Sequence, residues 1–186
     1  MVASVKNNNF LVSIVVLLLV VSSSYARFNM MITKSEIDSI CTKEKTLSSL
    51  CFEVLKPTSK IAALDLSGLA KFFINYQSQN ITYALKQLKL LVENTTNFHS
   101  RSIYLDCVEN YGNALYNNKI SLEDLEAKNY DAINARIGTT IAWMYQCIDD
   151  LSTIKPMPQF FIKRSNVIGD LSSIILVILE FFLQKD

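Results

Sequence analysis

Glycine, proline and histidine are scarce in this chain. Its 186 residues include only four glycines, three prolines and one histidine. Few turn-forming residues favour a small number of long helices and argue against a sheet protein with many tight turns. A single histidine, with no HExxH or CxxC spacing, excludes the common zinc-binding motifs. We therefore expect an all-α protein with no metal and no cofactor.

Side chains that usually perform catalysis do not form a recognisable arrangement. There is no glycine-rich phosphate loop, and His99 is predicted to lie in a surface loop over residues 94–101 without convergent partners. The acidic pairs Asp149-Asp150 and Glu123-Asp124 occupy neighbouring helical positions, which point away from each other. We expect that the protein is not an enzyme.

The first 26 residues have the pattern of a secretory signal peptide. Lys6 is the only charge, Leu11 to Val21 is an apolar run broken by Ser13, and Ser24-Tyr25-Ala26 supplies a small-x-small cleavage pattern. The run is too short to span a bilayer, which disfavours the alternative of a membrane anchor. We predict cleavage after residue 26, secretion to the extracellular space, and a single domain over residues 27–186.

The predicted mature chain has no excess of either charge. Removing Lys6 from the 18 basic side chains leaves 17, which equals the 17 acidic ones. No basic field is available to attract nucleic acid or an anionic lipid surface. We expect neither a nucleic-acid partner nor a membrane partner.

Two short amphipathic segments predict a helical hairpin over about residues 33–56. Cap-type residues begin the first segment at Thr33, and each apolar stripe includes one cysteine, Cys41 and Cys51. Cys107 and Cys147 lie in longer helical patterns. Four cysteines allow three pairings. Pairing in sequence order would close the hairpin through Cys41 and Cys51 and join two long helices through Cys107 and Cys147. The alternative of four free thiols is disfavoured, because disulfides form and persist in secreted proteins.

Longer amphipathic patterns predict the helices of a bundle over about residues 65–183. Asp65 is a good cap for the first helix, and a break is expected near Asn129. The predicted helices are Asp65 to Val92, about Ser102 to Asn117, roughly Leu122 to Asp149 and about Asn166 to Leu183, with loops at Asn94 to Arg101 and Ser152 to Ser165.

The last predicted helix is apolar on nearly every side. Six consecutive apolar residues run from Ile174 to Leu179, and Glu180 then interrupts them. Two interpretations fit such a run, a membrane tail and a helix enclosed by its neighbours. The run is shorter than a span requires, so we favour a core helix.

Two Asn-x-Thr triplets are candidate glycosylation sites in a secreted chain. Asn80 begins a triplet in the middle of a predicted helix, whereas Asn94 begins one in a predicted loop.

Several segments, taken in order, resemble the plant invertase and pectin methylesterase inhibitor family. The similarity covers nearly the whole predicted mature chain. The segments are Ile37 to Cys41, Ser48 to Cys51 with Leu55, Leu64 to Ala70, Asp106 to Tyr111 with Ala114 and Leu115, Lys128 to Asn134 followed by Cys147, and Gly169 to Ile178.

The resemblance implies an antiparallel four-helix bundle with an N-terminal helical hairpin, and cysteines that pair in sequence order. It also implies a secreted inhibitor, not an enzyme, that binds a cell-wall pectin methylesterase one to one and sterically blocks its active-site cleft. In that branch of the family the second, third and fourth bundle helices face the enzyme. An inhibitor of cell-wall or vacuolar invertase is the alternative, and a secreted helical ligand of a receptor is a second one.

Two features bear on the choice of branch. Invertase inhibitors often have Pro-Lys-Phe on the third bundle helix, where this chain has Lys128-Asn129-Tyr130, and the Glu109-Asn110-Tyr111 signature favours the esterase branch. The chain departs from the family where Gly138-Thr139-Thr140 replaces a small-residue run, and where bulky Trp143 and Tyr145 follow it.

The polar faces of the second and third bundle helices are the predicted binding surface. Tyr111 and Cys107 share the core face, which should turn the neighbouring polar residues outward. The predicted contact residues are Glu109, Asn110 and Asn113 on the second helix and Asn129, Asp131 and Asn134 on the third.

Overall fold

The structure is a computed structural model that describes residues 12–13, 31–56, 61 and 63–183. The predicted signal peptide lies outside the described residues, apart from Val12 and Ser13. The expected all-α class is confirmed, because helices and their connections account for the described segments from residue 31 onward. These helices are α1 (Lys34–Thr42), α2 (Ser48–Val54), α3 (Leu66–Asn94), α4 (Phe98–Glu126), α5 (Tyr130–Ser152) and α6 (Gln159–Leu183).

Side-chain caps fix the starts of three helices. Thr33 forms a capping box with Glu36 at α1, and Asp65 Oδ1 accepts a 2.6 Å hydrogen bond from Gly68 N at α3. Asn97 Oδ1 accepts from Ser100 N at 2.9 Å, so α4 begins at Phe98. These bonds satisfy amide groups that have no partner within the first turn of a helix. The starts predicted at Thr33 and Asp65 are confirmed.

The second and fourth bundle helices are longer than predicted, and the loops before them are correspondingly shorter. The third, predicted over roughly Leu122 to Asp149, is shorter and spans Tyr130–Ser152, so its expected start is wrong, whereas the break expected near Asn129 is confirmed. The loop expected over residues 94–101 is wrong, because the cap at Asn97 places His99 in the first turn of α4. The expected end near Asn117 is also wrong, since α4 continues to Glu126. Lys128 then adopts a left-handed conformation with φ 58°, which ends the helix. The last helix begins at Gln159 rather than Asn166, because a proline is tolerated at a helix start.

Helices α3 to α6 form an antiparallel four-helix bundle. Each packs against the next along the chain, and α6 packs back on α3. The connections at residues 95–97 and 127–129 span only about 10 Å, and that at residues 153–158 about 20 Å, too little to return along helices of about 35 Å or more. Consecutive helices must therefore run in opposite directions. The α1–α2 hairpin contacts the bundle through α6.

The bundle interior consists of two apolar clusters with a polar layer between them. One cluster includes the hairpin and the Leu66 end of α3, and the other surrounds the Cys107–Cys147 disulfide. The buried polar residues between the clusters come from all four bundle helices: Gln77, Asn118, Ser121, Thr140 and Ser172.

Helix α6 is a core element, as its sequence suggested. Ile175, Ile178 and Leu179 are fully buried, and the run from Ile174 packs against α3 and α5. Within the described ranges, no helix combines the length and apolar character needed to cross a membrane.

Candidate functional site

The two predicted disulfides are present and hold pairs of neighbouring helices. Cys41–Cys51 joins α1 to α2 with a Cα–Cα distance of 5.4 Å. Cys107–Cys147 joins α4 to α5 with a Cα–Cα distance of 5.3 Å. All four cysteines are buried. The second bridge joins the two helices that carry the predicted contact residues.

On α4, two of the three predicted contact residues lie at the surface. Glu109 and Asn113 are exposed. Asn110 is only 9% exposed, so the expectation that it turns outward is wrong. It follows Cys107 by three residues, which places it on the side of α4 that packs against α5.

On α5, all three predicted residues are exposed but they do not share one surface. Asn129 precedes the helix, and Asp131 lies in its first turn. Asn134 lines a groove of about 300 Å³ between α5, α6 and the end of α1. Lys43 and Glu180, which form an ion pair, also line this groove. Asn134 therefore faces the hairpin side of the molecule.

The helix register separates the two predicted groups. Glu109 is two residues after Cys107, and Tyr145 is two residues before Cys147, so they lie at the same level of the antiparallel pair. Asp131 precedes Tyr145 by nearly four turns, or about 21 Å along α5 at about 1.5 Å per residue. The predicted residues therefore form one group near the disulfide and another at the far end of the bundle.

An outward row of side chains on α4 extends the first group. Leu105, Glu109, Asn113 and Tyr116 are spaced by four, four and three residues, which places them on one helix face. Leu105 is 42% exposed and Tyr116 is 61% exposed. We call these four residues the α4 stripe. Sequence reasoning missed Leu105 and Tyr116, although their helical spacing from Glu109 would have identified them.

Two further side-chain contacts join α4 to α5. Asn117 Nδ2 donates to Arg136 O at 3.0 Å, and Arg136 Nε donates to Asp124 Oδ2 at 2.9 Å. Both interactions join α4 to α5, as the disulfide does. The α4 stripe therefore lies on a helix that is joined to α5 at two levels, by the disulfide and by the Arg136 contacts.

Little in the described part of the chain suggests catalysis or metal binding. The described residues contain no group of three or more His, Cys, Asp or Glu side chains placed to hold a metal ion. His99 is exposed in the first turn of α4. Of the two bulky residues that depart from the family pattern, Trp143 packs against the apolar cluster around the disulfide, and Tyr145 is 60% exposed.

The two candidate glycosylation residues occupy different settings. Asn80 is half-buried in the middle of α3, and Arg164 Nη1 donates to its Oδ1 at 3.3 Å. Asn94 is exposed as the last residue of α3, not in a loop as expected.

Comparisons with known proteins agree with this architecture. Residues 35–178 match the family model described as plant invertase/pectin methylesterase inhibitor. Pectinesterase inhibitor 1 of Arabidopsis thaliana is 31% identical over 179 residues, with 96% of each chain covered. Pectinesterase inhibitor of Actinidia deliciosa is 24% identical, again with 96% of each chain covered.

Solved structures give the same result. The crystal structure of a mutant form of a pectin methylesterase inhibitor from Arabidopsis superposes with a TM-score of 0.70 at 26% identity, covering 78% of this chain and 95% of that one. A second crystal structure of a pectin methylesterase inhibitor from Arabidopsis thaliana gives a TM-score of 0.62, also at 26% identity, covering 80% of this chain and 97% of that one. The chain belongs to the plant invertase/pectin methylesterase inhibitor family.

Proposed function

We propose that this protein is a secreted inhibitor of pectin methylesterase. The observation that supports this best is the similarity over 96% of both chains to a protein named as a pectinesterase inhibitor. The solved structures that this chain resembles are also of pectin methylesterase inhibitors. The signal-peptide pattern of residues 1–26 and the two disulfides suit an oxidising extracellular location such as the plant cell wall.

The inhibitor acts by covering the enzyme's cleft, one molecule to one, and not by chemistry of its own. A surface that blocks a cleft must keep its shape on binding, because ordering side chains and helices at that moment would reduce affinity. The disulfide at Cys107 and the Asn117–Arg136 contact hold α4 and α5 in register before any partner arrives. Pectin is excluded because the bundle occupies the space that the substrate needs.

Within the proposed surface, the α4 stripe is the strongest candidate for the contact centre. Interface energy is concentrated in a few residues, and tyrosine is enriched among them. Tyr116 offers an exposed ring, Leu105 offers apolar area, and Glu109 and Asn113 offer polar groups on the same face. Asp131 and Asn129 would then lie towards the rim, where charges affect association rate more than affinity.

Titration against two enzymes tests this function. The full chain, expressed in a plant secretory host and purified from the medium, is added to a pectin methylesterase and separately to a cell-wall invertase. We expect stoichiometric inhibition of the esterase and unchanged invertase activity. The family description also names invertase. Inhibition of invertase alone would overturn the branch assignment, and inhibition of neither enzyme would favour a receptor ligand.

A further inference from the structure

A groove on α3 and α6 lies away from the proposed inhibitory surface. Its volume is about 410 Å³, and it is lined by Tyr83, Gln87, Leu90, Leu91 and Asn94 of α3 and by Phe160 and Phe161 of α6. Tyr83, Leu90 and Phe160 are exposed large side chains. Contiguous exposed apolar surface can mark a binding groove, so we asked what could cover this one.

One residue of the groove wall is also the first residue of an Asn-x-Thr triplet. Asn94 follows Tyr83, Gln87 and Leu90 at spacings of eleven, seven and four residues, so all four share a face of α3. Thr96, the third residue of the triplet, is exposed in the connection to α4. The groove and the acceptor therefore form one continuous surface.

The amide of Asn94 is directed along the groove. Its Nδ2 donates a 2.7 Å hydrogen bond to Leu90 O, one turn earlier in α3. Helical side chains tilt towards the N-terminus of their helix, which is the direction of Gln87 and Tyr83 from Asn94. A group attached to Nδ2 would start over Leu90 and extend towards the rings of Tyr83 and Phe160. Nδ2 keeps one hydrogen after substitution, so the bond to Leu90 O can persist.

The asparagine of the other triplet makes the same bond to the preceding turn, but it is half-buried and contacts Arg164 of α6. Asn80 Nδ2 donates to Tyr76 O at 2.9 Å, and Asn80 Oδ1 accepts from Arg164. The same Arg164 guanidinium lies 5.2 Å from the Tyr83 ring centre and 5.4 Å from that of Phe160. A glycan on Asn80 would crowd this half-buried contact between α3 and α6.

We propose that Asn94 bears an N-linked glycan whose first sugars cover the groove formed by Tyr83, Leu90 and Phe160. This rests on the proposed secretion, because the modification occurs in the secretory route. An N-glycosidic bond forms between Asn94 Nδ2 and the anomeric carbon of N-acetylglucosamine. The bond that breaks joins that carbon to the diphosphate of a lipid-linked oligosaccharide donor. Nδ2 loses one proton, and the lipid diphosphate leaves.

The recognition is between a carbohydrate and an aromatic wall. The C–H face of N-acetylglucosamine and its acetyl methyl are apolar enough to pack on the Phe160 and Tyr83 rings. The Gln87 side chain supplies amide groups for the sugar hydroxyls. The glycan thereby removes exposed apolar area from water on the side of the bundle away from α5.

Site occupancy is the first test. The full chain is expressed in a plant secretory host with Thr82→Ala and Thr96→Ala variants, which destroy one triplet each without altering either asparagine. Peptide mass mapping of protein from the medium should find the glycan on Asn94, lost in Thr96→Ala and retained in Thr82→Ala. A secreted chain bare at Asn94 would overturn the glycan alone. A bare chain retained in the cell would overturn the glycan and the proposed secretion together.

Packing of the glycan on the groove is the second test. The melting temperature of the glycosylated protein should exceed that of Thr96→Ala by about 2–4 °C. The difference should shrink when both carry Phe160→Ala, but not when both carry Phe52→Ala, a matched control because Phe52 is 41% exposed and Phe160 is 42% exposed. Equal differences in all three backgrounds would overturn the packing. An acetyl methyl proton signal without an upfield ring-current shift would overturn it independently of stability.

Discussion

The hydroxyls of Tyr111 and Ser165 lie 2.8 Å apart and join α4 to α6 across the interior of the bundle. Both residues are fully buried. Burial raises the pKa of Tyr111 to about 12, although the Ser165 hydrogen bond and the Arg164 charge act in the opposite direction. The phenol therefore stays protonated and able to donate at every physiological pH. This contact therefore links two helices that lie diagonally opposite each other in the bundle.

Removing one of these hydroxyls should destabilise the fold more than removing both. Tyr111→Phe leaves the Ser165 hydroxyl buried without its tyrosine partner, which costs about 1–3 kcal/mol. Adding Ser165→Ala removes that unpaired group and should recover part of the loss. Urea unfolding of wild type, both single variants and the double variant measures the coupling. Strictly additive losses would contradict a direct interaction in the folded protein.

Replacing Ser121 of the polar layer by alanine should stabilise the protein. Ser121 Oγ is buried and has no hydrogen-bond partner among the described residues. Ser172 Oγ, in contrast, accepts from Gln77 Nε2 at 2.6 Å and donates to Ile168 O at 3.0 Å. Ser121→Ala should raise the free energy of unfolding by about 1 kcal/mol, because an unpaired buried hydroxyl is costly.

Ser172→Ala is the matched control for this prediction. The same substitution removes a hydroxyl that has two partners, so it should lower the free energy of unfolding by about 1 kcal/mol or more. Opposite signs for the two variants are the expected result in urea unfolding. A loss of stability in Ser121→Ala comparable to that in Ser172→Ala would contradict the account.

Buried polar residues are also where sequence reasoning was least successful. The hairpin and both disulfides could be predicted, because cysteines within apolar stripes point to one helix face. Gln77 begins a polar stretch in the middle of α3, where the sequence alone gives the amide no partner. Its amide instead bonds to Ile168 O and Ser172 on α6, and the helix is continuous. Asn110 was misplaced for the same reason, since polarity alone does not distinguish a buried amide from an exposed one.

Helix ends were predictable only where a side chain signals them. Asp65 and Thr33 cap their helices and were identified from sequence. A break near Asn129 was also predicted, and α5 begins at Tyr130. The sequence did not assign residues 118–126 to α4, whose end depends on the left-handed conformation of Lys128, a position where no glycine signals it. For the candidate site, the sequence correctly predicted that Glu109 and Asn113 are exposed. Their separation from Asp131 required the helix register that the disulfide fixes.

Asp170 on α6 should make stability depend on pH. Burial raises the pKa of its carboxyl group above the ordinary value. The folded protein therefore binds this proton more tightly than the unfolded chain does, and the contribution of Asp170 to stability declines as pH rises through the two pKa values. Asp170→Asn should have a higher melting temperature than wild type at pH 7, and the difference should vanish near pH 3, below the usual aspartate pKa of about 3.9.

Asp149→Asn controls for the removal of one surface carboxylate, because Asp149 is exposed on α5. Differential scanning calorimetry at both pH values gives the comparison. A gain for Asp170→Asn that is equal at pH 3 and pH 7 would show that packing, and not the carboxylate charge, is responsible.

Inhibition should depend on the α4 stripe more than on the polar end of α5. Glu109→Lys with Tyr116→Ala reverses one charge and removes one ring from the stripe, and both side chains are exposed, so the fold should persist. We expect the inhibition constant for pectin methylesterase to rise by about 30-fold or more, which corresponds to about 2 kcal/mol at an interface centre. Asp131→Lys with Asn134→Ala should raise it by less than about 5-fold, as rim substitutions do.

A charge reversal elsewhere separates local contact from a general change in charge. Glu93→Lys makes the same substitution at an exposed position near the end of α3, and it should leave the inhibition constant unchanged. Circular dichroism should show the same helix content in all the variants. A larger loss of inhibition in Asp131→Lys with Asn134→Ala than in Glu109→Lys with Tyr116→Ala would contradict the α4 stripe as the contact centre. The enzyme would then contact the start of α5, where Asn134 lines the groove shared with α6 and the end of α1.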